Sequence, residues 1–205
     1  MRHLWRLPRW IHLISGAYLP PQRADRIFYL TFDDGPAGST TCYLLDLLEE
    51  YSYTATFFWL WSRYEEKSTP KQLQRIQERG HFIAIHGLTH LSPWRNAFVS
   101  SQCPIEQAYL LWSKTGAPIL PLYRPPYGHI PFYSRHRIPL VLWDLMPPDY
   151  LPGVRWTESL LERLRPGDIV VLHEKAWSRK EWERFFSAAA GSGWKGVALS
   201  QEEQG

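Results

Sequence analysis

"RIFYLTFDDGPAGSTTCYLLDLLEEYSYTATFFWLW", residues 26–61, changes its hydrophobic period twice. RIFYLTF is an apolar run of strand length. Tyr43, Leu44, Leu47 and Leu48 then recur at helical spacing behind Ser39, which is placed to cap a helix, and TATFFWLW returns to β-branched and aromatic residues. Strand, helix and strand in this order form a βα unit, whose two strands pair in parallel through the helical crossover.

The alternation continues downstream. Thr69 followed by Pro70 opens a helix over KQLQRIQER that Gly80 closes, and HFIAIH reads as the next strand. A helix in PIEQAYLLWSKTG precedes an apolar stretch in APILPLY and a strand in IPLVLWD. TESLLERL, DIVVLH, KEWERFFSAAA and KGVALS then predict helix, strand, helix and strand. Such repetition predicts an α/β fold around a parallel sheet, open or closed into a barrel. Residues 26–205 make one domain, and residues 1–25 an N-terminal arm.

A chain of 205 residues buries enough surface for one domain without disulfides. It is 44% hydrophobic and 21% charged, as soluble globular proteins are, and no stretch reaches the roughly 18 apolar residues of a membrane span. A net charge of +3, with a pI near 8.9 and no run of like charges, leaves no footprint for nucleic acid. Cys42 and Cys103 lack metal-site spacing and read as two buried thiols. The segment MRHLWRLPRWIHLISGAYLPP loosely imitates a secretory signal, but its apolar centre is short and broken by His12. It reads as a Trp-rich arm packed on the domain, which leaves a cytoplasmic location as the default.

Polar residues collect where the strands stop. Asp33 and Asp34 follow YLTF, His86 follows HFIAI, Arg124 follows PLY and His173 follows IVVL. In a parallel βα barrel these ends share one face. His86 and His90, four apart in HGLTH, can reach one ion if the segment turns helically. With one carboxylate they form a set suited to Zn²⁺ or a similar divalent ion. The second aspartate is then free to act as a base on activated water. LYRPPYG holds Arg124 beside a loop stiffened by Pro125 and Pro126, which suits presentation of the Tyr127 N–H to a developing oxyanion. His173, at a strand end, is a proton-donor candidate.

TFDDGP, HGLTH, RPPYG, LWDLMPPDY and IVVLH resemble, in order, the five motifs of the NodB-homology polysaccharide deacetylases, carbohydrate esterase family 4, over residues 26–200. The resemblance implies a distorted (β/α) barrel that removes acetyl groups from N-acetylglucosamine-containing or other acetylated glycans, envelope glycans included. It assigns the base to Asp33 and the metal ligands to Asp34, His86 and His90. It further assigns the orienting arginine to Arg124, the oxyanion N–H to Tyr127, an aspartate holding that arginine to Asp149, and the general acid to His173. Trp61, Tyr150 and Pro126 are expected to contact substrate.

The chain departs from the family pattern at four places. Gly87 stands where Ser or Thr usually follows the first histidine, with Thr89 near enough to compensate in part. Ala84-Ile85 replaces Gly-Asn, Tyr150 replaces Trp, and Trp61 stands where Gly is common. A bulky Trp61 either narrows the cleft or packs under the neighbouring helix. A narrowed cleft would favour an amidase or deformylase acting on a small substrate; a binding relative without turnover is the other alternative.

Overall fold

The computed structural model describes residues 5–67, 70–92, 103–130 and 137–199. Six parallel strands, β1 (Ile27–Gly35), β2 (Thr56–Leu60), β3 (Phe82–Gly87), β4 (Ile119–Tyr123), β5 (Ile169–His173) and β6 (Lys195–Val197), form one sheet in the order β4-β3-β2-β1-β5, with β6 pairing the start of β1. Helices fill the crossovers: α2 (Ser39–Glu50), α3 (Trp61–Lys67), α4 (Pro70–Glu78), α5 (Pro104–Ser113), α6 (Thr157–Arg163) and α7 (Arg179–Gly191). A short α1 (Arg9–Ser15) precedes them.

Side chains alternate across each strand, so each has two destinations. Phe28, Leu30, Phe32, Phe57, Trp59, Val170 and Leu172 pack outward with Leu44, Leu48, Trp182 and Phe185 of the helices. Tyr29, Phe58, Ala84, Leu122, Val141 and Ile169 form a smaller interior cluster. Burial of the outward layer, at roughly 25 cal/mol per Å² of apolar surface, is the main force holding helices to sheet.

IPLVLWD, expected as a strand, forms no ladder. Its Pro139 has no N–H to give, and the segment touches its neighbours through isolated bridges, Leu140 to Tyr123 and Leu145 to Val170. Those bridges nevertheless link β4 to β5: Val141 N–H donates to Tyr123 O at 2.7 Å and Val171 N–H to Leu145 O at 2.9 Å. The sheet is thereby closed into a distorted barrel by an irregular seam.

Other local expectations change in detail. Gly38, with φ 58°, occupies the cap position of α2, and Ser39 is its first helical residue. Residue Thr69 lies outside the described residues, while Gly80, at φ 70°, follows α4 as expected. TATFFWLW stops being a strand at Leu60, because Trp61 opens α3. Cys42 and Cys103 are half-buried rather than buried. The segment before β1 is tied down: Arg6 bonds both oxygens of Asp168 at 2.8 and 2.7 Å, and Leu7 N–H donates to Asp144 O at 3.0 Å.

Candidate active site and metal centre

Strand parity explains which residues meet. Asp33 shares the interior face of β1 with Tyr29 and Thr31, His86 that of β3 with Ala84, and His173 that of β5 with Ile169. Arg124, just past β4, continues the face of Leu120 and Leu122. Each of these four interior rows ends, at the carboxyl side, in a residue of the site.

Parity alone would send Asp34 outward. It does not, because Asp34 is a bulge: Asp33 pairs with Phe58 and Gly35 with Trp59, leaving Asp34 as the extra residue, in the left-handed region at φ 71°. Aspartate tolerates that region better than most side chains. Adjacent carboxylates thus enter one cleft. Gly35 is required for a separate reason, since a β-carbon there would collide with Glu174 and the Trp59 indole. Glu174 is buried under the bulge and accepts from Trp59 Nε1 at 2.5 Å and from the Thr41 hydroxyl. Burial raises this carboxyl to about 7 against those hydrogen bonds.

Asp34, His86 and His90 converge, with one ligand atom of each within 4.8 Å of the others. Asp34 Oδ1 lies 3.5 Å from His86 Nε2 and 3.1 Å from His90 Nε2. His86 Nδ1 sits 2.8 Å from the Arg124 carbonyl oxygen, which only accepts, so Nδ1 carries the proton and the Nε2 lone pair faces Asp34. Among the described residues, Asp34 Oδ1 is buried and accepts no hydrogen bond. A buried carboxylate oxygen between two imidazole nitrogens fits a divalent cation. Burial alone would raise Asp34, but the adjacent His86 and His90 imidazoles and the charge of His173 hold it well below the usual carboxylate range. The segment carrying His90 bends rather than turning helically. Gly87 allows the bend at φ 135°, where a β-carbon would press on Thr89 O at 3.1 Å. The departure from Ser or Thr is therefore a backbone requirement of this loop.

Arg124 is fully buried, donates to Asp33 Oδ1 and Thr31 Oγ1 at 2.8 Å each, and stacks 4.1 Å from the Phe58 ring centroid. It orients Asp33 directly. Asp149 does not hold Arg124; it holds His173, accepting from the His173 backbone N–H at 2.5 Å and lying 2.8 Å from Nδ1. The reason is position: the chain after the seam brings Asp149 over the end of β5, while the Arg124 guanidinium points inward to β1. Burial disfavours the imidazolium, but Asp149, with help from Asp33 and Asp34, lifts His173 to about 9.

A cavity of about 480 Å³ opens above these groups, lined by Asp33, Asp34, His86, His90, His173 and Lys175 with the aromatic rings of Tyr127, Trp143, Tyr150 and Trp177. Tyr127 is at φ 60°, in the turn that RPPYG predicts. Two expected substrate contacts lie elsewhere. Pro126 is buried in its turn and does not line the cavity, and Trp61 stacks on Tyr64 at 5.0 Å and meets Trp112 at 5.3 Å, in the outer core. Lys175 and Trp177 join the site without a motif that marks them in the sequence, and Trp143 joins it from LWDLMPPDY, where the resemblance gives it no role. Lys175 bonds Asp34 Oδ2 at 2.7 Å, and its only sequence signal is a cation two residues past His173.

Residues 21–138 match the family described as polysaccharide deacetylase. The chain is 28% identical over 185 residues to the peptidoglycan-N-acetylmuramic acid deacetylase PdaC of Bacillus subtilis, covering 88% of this chain and 39% of that protein. A chitooligosaccharide deacetylase of Bradyrhizobium is 33% identical over 160 residues, 73% of this chain and 71% of the relative. The solved structure of PdaC matches at a TM-score of 0.75 and 27% identity, over 90% of this chain and 91% of that one. Matched over more than half its length by the family's pattern, and carrying the carboxylate and histidines where the barrel strands end, the chain belongs to the polysaccharide deacetylase family.

Proposed function

We propose that this chain is a metal-dependent hydrolase that removes acetyl groups from N-acetylglucosamine-containing or other acetylated glycans, in keeping with relatives named for peptidoglycan N-acetylmuramic acid, peptidoglycan N-acetylglucosamine and chitooligosaccharides. The observation that carries the reading is the meeting of Asp34 Oδ1, His86 Nε2 and His90 Nε2 in the cavity that also holds Asp33 and His173. Asp34, His86 and His90 would hold the cation, with Zn²⁺ favoured by two imidazoles and one carboxylate. When bound, a divalent cation there polarises the acetyl oxygen and makes water more acidic.

The rest is work for the chain's own groups. Asp33, oriented by Arg124 at 2.8 Å, takes the proton of the attacking water. The Tyr127 N–H serves the oxygen on which charge develops; one such donor is typically worth about 10² to 10³ in rate. His173, protonated at neutral pH through Asp149, gives its proton to the leaving nitrogen or oxygen. Tyr127, Tyr150 and Trp177, all partly exposed at the rim, offer ring faces for sugars. A small-substrate amidase loses its support, since Trp61 does not narrow the cleft.

The test is acetate release from chitooligosaccharides and acetylated peptidoglycan fragments, after chelation and metal re-addition, beside calorimetric metal titration. Asp34→Asn weakens metal binding. Asp33→Asn keeps the metal and loses about 10² to 10⁴ in turnover. Acetate release that survives full chelation, or no release from any acetylated glycan, overturns the proposal.

A further inference from the structure

The helix α1 is packed with its polarity reversed. Trp10 is 59% exposed, Leu13 71% and Ile14 75%, while His12 is fully buried. Positions 10, 13 and 14 stand at i, i+3 and i+4, so the three apolar side chains form one continuous outward face, with Arg9 at its edge. A surface helix ordinarily turns such a face inward. Here the inward side carries Ile11 and His12, and His12 Nε2 lies 3.2 Å from the Trp143 carbonyl oxygen.

The face is held out rather than frayed. On one side of the helix Met146 N–H donates to Trp5 O and Leu7 N–H to Asp144 O, each at 3.0 Å. On the other, Tyr18 N–H donates to Leu140 O at 2.6 Å. The seam of the barrel thus grips both ends of α1, and the apolar face has no route into the core.

Charge indicates what covers it. Residues 1–25 carry four arginines against one acid, Asp25; Arg6 is paired with Asp168, whereas Arg9 is exposed at the edge of the apolar face and bonds the neutral Gln22. Basic residues beside a Trp, Leu and Ile face are the composition of segments that lie in the headgroup layer of an anionic bilayer. A helix of seven residues rises only about 10 Å, which suits lying in the interface and not crossing it. None of the described helices is long and apolar enough to cross a membrane.

We propose that α1 docks the protein onto an anionic lipid surface, with Trp10, Leu13 and Ile14 entering the headgroup layer and Arg9 meeting lipid phosphate. The placement is independent of the chemistry in the cleft. It is tested by co-sedimenting the full chain with large unilamellar vesicles of phosphatidylglycerol or of phosphatidylcholine. Binding to phosphatidylglycerol vesicles, weakened by high salt, is expected. Leu13→Ser/Ile14→Ser lowers the partition coefficient by roughly tenfold or more, given the apolar surface removed. Leu110→Ser on α5, 60% exposed and on another helix, leaves it unchanged. The double variant alters exposed residues only, and unchanged acetate release from a soluble substrate verifies its fold. The proposal is overturned by absent vesicle binding, or by equal binding of the double variant. It is also overturned if a dimer in sedimentation is broken by the double variant, which would make the face a contact between copies.

Discussion

Replacing Asp149 by asparagine isolates the group that makes His173 an acid. The carboxylate sits against both the backbone N–H and the Nδ1 of His173, and it is the main influence raising that imidazole to about 9 against the burial that lowers it. The Asp149→Asn side chain keeps an acceptor for the backbone N–H but has no negative charge. His173 then falls to its ordinary value near 6.5 or below. At pH 7.5 the protonated fraction drops about tenfold, and turnover drops with it. The stability loss is small, about 1 to 3 kcal/mol for one charge-assisted hydrogen bond. The sign is fixed by the role: a required acid loses activity as pH rises through its pKa. The alkaline limb of kcat/KM therefore moves from near 9 to below 7. A bound cation offsets Asp34 and brings the wild-type limb down somewhat, without reversing the difference. The assay is acetate release across about pH 5 to 10 for both proteins under matched metal. An unmoved alkaline limb refutes the reasoning, and a moved acid limb shows that Asp149 acts through Arg124 and Asp33 instead.

Three further outcomes follow from packing and burial. Trp61→Gly removes a ring stacked on Tyr64 and lowers stability by about 2 to 4 kcal/mol in chemical denaturation, while the preference between short and long glycans stays the same. Gly87→Ser supplies the hydroxyl usual in the family yet weakens metal binding in calorimetry, because φ 135° and the Thr89 carbonyl leave no room for a side chain without moving His90. Glu174, raised by burial from 4.5 to about 7, contributes stability that is present below pH 4.5 and lost as pH rises through 7, on the order of 3 kcal/mol. Glu174→Gln flattens that decline when unfolding is followed at about pH 5 and about pH 8; an unchanged slope assigns it to other groups.

Much of the architecture was legible because periodicity reports burial, and burial is what arranges a parallel βα sheet. The strand ends at Asp33, His86, Arg124 and His173 were visible for the same reason. What escaped depended on single dihedrals and on distant pairings. Nothing in the spacing of DDG states that Asp34 is the bulged residue, although only that conformation turns both carboxylates into one cleft. The partner of Asp149 depends on where the irregular seam delivers it, and a period cannot show that. At Trp61 a β-like composition runs on through a residue that already starts a helix, so composition alone extends the strand one position too far. Pro139 was the available sign that IPLVLWD would not ladder.

That seam has a mechanical consequence. A ladder of strand bonds yields as a unit, whereas isolated bridges give way singly. Residues 138–145 thus join the ring by bridges and not by a ladder, and Trp143 of that segment forms one wall of the cavity. The opposite wall carries Asp33 and His86 on paired strands. A seam that opens bridge by bridge predicts that, on glycan binding, the wall without ligand or base is the one that shifts. Amide exchange localised to Leu140–Leu145, slowing when an oligosaccharide binds, is the signature of a jaw that moves against a fixed anvil.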